Sequence, residues 1–221
     1  MTVLFVIATI IIFLSIDWFI HRRSEKSPAK ALSARQPESF SVRLPEGIFF
    51  TRSHTWLNLF PSGKLSLGVD DFISRLLNNP TIILLKHSGD SISKGEALML
   101  LKEGEHQLTV RSPIDGKILE VNNDLAEHPS LLKDNLFGNG WGYLIKPNTL
   151  SEVKGMLLGS ETRVWMRQEF QRLKDLLAGM GRNGSPQPAF LQDGGQPIAG
   201  ALDTMDDATW QQLDNEFLRV Q

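Results

Sequence analysis

The hydrophobic pattern changes character several times along the chain. Residues 2–20 are almost wholly apolar, with Val3, Leu4, Phe5, Val6 and Ile7 leading into Ile10, Ile11, Ile12, Phe13 and Leu14. As a helix this run would extend about 28 Å, close to the thickness of a bilayer core. Asp17 is its one charge, and Trp18 beside it suits a membrane–water interface. Residues 21–41 are charged and polar, with Pro28 and Pro37. Such a stretch buries too little apolar surface to fold alone and reads as a tether.

From 42 to 150 short apolar runs alternate with turn residues. Leu65–Val69, Thr81–Leu85, Ala97–Leu101, Leu108–Val110, Lys117–Val121 and Trp141–Ile145 read as strands. Gly89-Asp90, Lys94-Gly95, Glu103-Gly104 and Asp115-Gly116 supply turn signals. Phe72, Leu76 and Leu77 predict a helix over 70–78, and Pro129 suits the first turn of another over 128–133. The pattern predicts a mainly β domain, a small sandwich or barrel.

Residues 151–180 return to helical spacing. Met166, Phe170, Leu173 and Leu177 form one stripe, widened by Trp165 and Leu176. Glu169, Arg172, Lys174 and Asp175 are expected on the wet face. Residues 181–200, rich in Gly, Pro and Gln, read as a flexible link. Residues 201–221 predict an acidic amphipathic helix capped by Asp203 or Thr204, with Trp210, Leu213 and Phe217 on its apolar stripe. That stripe fits either the chain's own domain or a partner's groove, and the three residues are the partner-binding candidates.

Charge narrows the function. The 221 residues carry 23 basic and 25 acidic groups, a net charge of −2, which argues against a nucleic-acid partner. With no cysteine, disulfides, thiolate metal sites and cysteine nucleophiles are excluded. His21, His54, His87, His106 and His128 show no close ligand spacing, so no metal is expected. His54 and Trp56 read as core and packing groups. Gly138-Asn139-Gly140 lacks the ending of a phosphate loop. No nucleophile or oxyanion site stands out, so the chain reads as a non-enzyme. Arg22, Arg23, Lys26, Lys30 and Arg35 follow the apolar run rather than precede it. That order favours a retained single-pass span, with everything after residue 21 on the cytoplasmic side. The rival is a cleaved signal peptide, because small residues near Ala29–Ala34 imitate a cleavage site.

Several segments in consistent order resemble the glycine cleavage H protein. Phe50-Thr51-Arg52-Ser53-His54-Thr55-Trp56 is similar to the family's aromatic-T-x-x-H-x-W, and G-V-D-D-F from Gly68 to Phe72 to its G-I-T-D-Y. Ser112-Pro113-Ile114-Asp115-Gly116 matches S-P-x-x-G. Val121-Asn122 with Leu125, Pro129 and Leu131, leading to Phe137-Gly138-Asn139-Gly140-Trp141, is similar to V-N-x-x-L…P-x-L…Y-G-x-G-W. The resemblance covers residues 44 to 150. It implies a barrel-sandwich hybrid of the lipoyl-domain type, with a hairpin whose tip lysine carries lipoate and shuttles an aminomethyl group between enzymes.

The family's tip reads E-S-V-K. Counting back from Pro113 puts Glu105 at the lysine position, within Lys102-Glu103-Gly104-Glu105. A carboxylate forms no amide with lipoate, so no cofactor is expected. Gly104, in place of a β-branched residue, predicts a looser tip. Lys102 is the nearest amine, three residues from the tip position, and an odd slip turns a strand's side chains to the other face. The leading expectation is a membrane-tethered, non-lipoylated interaction module. The alternatives are a lipoyl carrier modified at Lys102 and an accessory subunit of a membrane complex.

Overall fold

The computed structural model describes residues 42–180 and 200–220. The predicted membrane run at 2–20, the tether at 21–41 and the link from 181 to 199 lie outside the described residues. No helix among the described residues is long and apolar enough to cross a membrane.

The alternating runs become two antiparallel sheets. Strands β1 (Phe49–Phe50), β2 (Thr55–Leu59), β3 (Leu65–Val69), β9 (Tyr143–Pro147), β8 (Gly116–Val121) and β5 (Ser91–Ile92) lie side by side in that order. The second sheet has the order β4 (Thr81–Leu84), β6 (Ala97–Glu103), β7 (His106–Arg111). Leu65, Leu67, Ile118 and Ile145 from the first sheet and Leu98, Leu101, Leu108 and Val110 from the second are buried in one core.

Two contacts set the architecture. Trp56 pairs with Gly68 across β2 and β3, and a Cβ at Gly68 would lie 2.7 Å from the indole ring. Glycine there leaves room for the ring to lie flat on the strand. Tyr143 links the sheets: its hydroxyl donates to the Leu98 carbonyl in β6 at 2.6 Å and accepts from the Lys86 N–H at 3.2 Å. The strand expected from Trp141 begins at Tyr143. Asn122 Nδ2 donates to the Trp141 carbonyl at 2.7 Å, which diverts that residue from the sheet.

Helix α1 (Asp71–Leu76) starts where Asp70 Oδ1 accepts the Ile73 N–H at 3.1 Å, an N-cap. Asp71 is buried and bound by Arg43 and Arg75. Two short helices follow, α2 (Asn123–Glu127) and α3 (Leu131–Asp134). The stretch 151–180 is divided. A 3-10 turn at Leu150–Gly155 leads to an extended bridge, in which Leu157 exchanges backbone hydrogen bonds with Phe50, before α4 (Ser160–Met180) begins.

The C-terminal segment differs from expectation in two respects. Helix α5 (Asp207–Phe217) is capped by Asp206, whose carboxylate accepts the Thr209 N–H at 3.0 Å. Asp203 and Thr204 belong instead to a preceding 3-10 turn. The partner-binding reading of Trp210, Leu213 and Phe217 is corrected: they are 2%, 0% and 0% exposed, inside the chain's own core. The groove that their stripe fits is at home.

Candidate functional site

The sequence pointed to the hairpin between β6 and β7. Glu103 pairs with His106, leaving Gly104 and Glu105 as a two-residue turn. Gly104 has φ +58° and Glu105 is not left-handed, the pattern of a turn with glycine at its first central position. The expected loosening is therefore corrected. Glycine supplies a backbone conformation that a β-branched residue adopts only under strain, and so defines the turn. Glu105 is exposed at the tip. Lys102 lies two residues before the turn, between Thr81 on β4 and Gln107 on β7. It is half-buried, and its side-chain amine makes no hydrogen bond or ion pair among the described residues.

The hairpin is anchored at its end. Glu103 Oε1 accepts the N–H groups of Asn78 and Asn79, each at 2.6 Å, just beyond α1. Burial pushes the Glu103 carboxyl up, the two donors pull it down, and the charge of Asp203 adds to the rise. On the other side, α5 packs along β7, the outer strand of its sheet. The His106 ring stacks on Trp210 at 5.3 Å and its Nδ1 lies 2.6 Å from Asp207. The Thr109 N–H donates to Asp214 Oδ1 at 2.6 Å. An open polar cleft of about 550 Å³ runs between Glu105, Gln107 and Gln211.

A second constellation lies in the core. His54 is wholly buried in a left-handed conformation, φ +56°. Its Nδ1 is 2.7 Å from Asp70 Oδ2, and its Nε2 is 3.6 Å from Glu169 Oε2. The second distance is an ion-pair distance, beyond hydrogen-bond reach. The ring stacks on Phe72 at 4.5 Å, and Trp165 and Phe217 lie at 5.0 and 5.8 Å. Burial opposes the charged imidazole. Asp70, through charge and hydrogen bond, and then Glu169 outweigh it and raise the pKa to about 9. Burial likewise opposes the charged form of Glu169, but His54 and Arg172 hold its carboxyl below the usual range.

Glu169 is a correction to the predicted wet face: it is 4% exposed. It follows Met166 by three residues and precedes Leu173 by four, so its spacing already placed it on the buried stripe. Reading it by polarity alone hid this. His54 and Asp70 come from the two N-terminal motifs, and they meet because β2 and β3 pair.

The family model described as "Glycine cleavage H-protein" matches residues 48–169, more than half of the chain. The chain belongs to the glycine cleavage H-protein family. The glycine cleavage system H protein of Coprothermobacter proteolyticus is 28% identical over 120 residues, which span 54% of this chain and 94% of that relative. The probable glycine cleavage system H protein of Pyrococcus abyssi is 28% identical over 119 residues, 54% of this chain and 88% of that one. A crystal structure of a glycine cleavage system H protein from Mycobacterium marinum has a TM-score of 0.47 and 24% identity, covering 53% of this chain and 94% of that one.

Membership in the H-protein family corrects the expectation that no cofactor belongs here, because H-proteins normally carry lipoate on a lysine. The hairpin's chemistry bears on where such a group fits. Glu105 has no nucleophilic nitrogen. Lys102 has one, and nothing among the described residues competes for it. The H-protein match contains β6, β7, His54 and Asp70, ends within α4 at Glu169, and leaves out α5.

Proposed function

We propose that this chain is an H-protein-type carrier whose β6–β7 hairpin presents an acyl arm to partner proteins, with Lys102 as the acylated amine. One observation carries the reading: the family match takes in the whole hairpin, and Lys102 stands two residues from its turn. When bound, lipoate supplies a dithiolane that accepts and releases a transferred group. The chain's own residues do the rest. Gly104 sets the turn, Glu103 fastens the hairpin end to the segment after α1, and pairing with β4 and β7 fixes the Lys102 backbone. Partners are proteins that pass a one-carbon or redox group, as in the glycine cleavage system of the family.

The intact mass of protein purified from its own host, with peptide mapping, tests this. A lipoyl increment on Lys102, lost in Lys102→Ala and kept in Glu105→Ala, is expected. An unmodified mass would overturn the carrier reading and leave docking on another protein as the activity.

The apolar run at 2–20 supports a further part of the proposal: the carrier is held at a membrane, with its folded domain on the cytoplasmic side. The full chain is then expected to stay with membranes through an alkaline carbonate wash. Release into the wash would remove the tether from the proposal.

A further inference from the structure

The outer face of the β4–β6–β7 sheet carries an aliphatic strip that the core does not use. Along β6, Met99 and Leu101 are buried, while Leu100 and Lys102 lie on the opposite face and are half-buried. On β4, Ile82 is buried and Thr81 and Ile83 are exposed. On β7, Leu108 and Val110 are buried, and Gln107 and Thr109 alternate with them. The register assembles the outer face from these positions. Lys102 lies between Thr81 and Gln107, and Leu100 lies between Ile83 and Thr109. Leu85 extends the β4 side, its N–H donating to the Leu98 carbonyl at 2.8 Å. Ile83 and Leu85 are each 37% exposed, although both are large aliphatic residues.

We propose that Ile83, Leu85 and Leu100 form a seat for the hydrocarbon chain of an acyl group carried on Lys102, and that a medium-length, unbranched chain is the acyl class that fits it. The occupant rests on the carrier reading of Lys102; the aliphatic strip beside that lysine does not.

Reach agrees with this. Residues advance by about 3.4 Å along a strand, and neighbouring strands lie about 4.8 Å apart. Leu100 is then about 7 Å from Lys102 along β6, Ile83 stands beside Leu100, and Leu85 lies about 14 Å from Lys102 at the far end of the strip. A lysine side chain lengthened by a medium-length acyl chain covers that span, whereas an acetyl group stops short of Leu85. Charge agrees as well. A free ammonium gains nothing on an aliphatic strip, because it gives up water without a partner. Acylation turns it into a neutral amide and removes that obstacle. Burial of about two methylenes then suffices for a roughly tenfold preference for the seated chain. A protein partner fits the strip less well. Three partly exposed aliphatic side chains fall far short of the roughly 800 Å² that each partner gives to a specific interface.

Methyl-resolved NMR on the full chain, with Lys102 acylated as Nε-octanoyl-lysine, tests the seat. Nuclear Overhauser contacts are expected from the octanoyl methylenes to the methyl groups of Ile83, Leu85 and Leu100. Their resonances shift, and those of Leu65, buried in the other sheet, do not. With Nε-acetyl-lysine at the same position the Leu85 methyls stay unshifted. Ile83→Thr keeps a β-branched residue at an exposed strand position and lowers the octanoyl-induced shifts at Leu85 and Leu100. An octanoyl chain without contact to the three residues would overturn the seat. Shifts that grow with protein concentration would overturn it too, since a second copy of the chain would then be the occupant. The mass of the host's own protein reports on the carrier reading separately. An unmodified Lys102 removes the carrier and with it the natural occupant, whereas an acylated Lys102 whose chain touches none of the three removes the seat alone.

Discussion

His54 is enclosed by Phe72, Trp165 and Phe217 and faces a carboxylate at each ring nitrogen. A folded-state pKa raised to about 9 from 6.5 makes the protonated ring a stabilising group. That contribution is fully present below pH 6.5 and is lost as pH rises through about 9. It amounts to something on the order of 3 kcal/mol at full expression. Denaturant unfolding between pH 7 and 10 is therefore expected to show falling stability, and His54→Ala is expected to abolish that slope. The same substitution leaves Asp70 buried without its cation, while Glu169 keeps Arg172, at a cost of roughly 3–5 kcal/mol at pH 7. Gly104 makes a smaller demand. Gly104→Val forces a β-branched residue to φ +58° and should cost about 1–3 kcal/mol in thermal or denaturant unfolding, with the core untouched.

Elements declare themselves in sequence to the extent that their partners are nearby. β3 and β8 were legible from alternation, and α1 from its apolar spacing, although of the three only β8 buries a single face. The register that brings Glu105 to the turn was legible too, by counting from Pro113. The role of Gly104 was not, since a glycine at a turn loosens or defines it according to a φ that the letter does not state. Glu169 was misread for a related reason: its partner His54 lies on β2's entry turn, far away in the chain. The stripe of α5 could not name its own groove, because Trp210, Leu213 and Phe217 would look the same in any groove. Trp210 also donates its indole N–H to the Leu202 carbonyl at 3.2 Å, so Trp210→Ala removes both packing and a hydrogen bond. The docking of α5 should weaken by roughly 3–5 kcal/mol, read as loss of exchange protection in α5 ahead of the sheets.

At the scale of the molecule, an H-protein domain from 48 to 169 has been extended at both ends. The C-terminal extension folds back: Arg172 reaches from α4 to the Glu216 carbonyl of α5 at 3.0 Å, and Gly200 donates to the Arg75 carbonyl at 2.9 Å. The β6–β7 hairpin is thus braced on one side by the segment after α1 and covered on the other by α5. The mass at Lys102 is the measurement that most directly separates carriage from docking.

Tyr143 is the chain's single tyrosine, and it bridges the two sheets. Burial, against two backbone donors, pushes its hydroxyl up from 10.0 to about 12. The molecule thereby carries its own optical gauge. As long as the sheets stay together, phenolate absorbance is delayed toward the upper value; once they part, it rises near the lower one. Because the support from His54 fades above about 9, alkaline titration weakens the fold before the phenol itself would ionise in place. Ultraviolet absorbance alone, without a label, then marks the pH at which the sandwich separates.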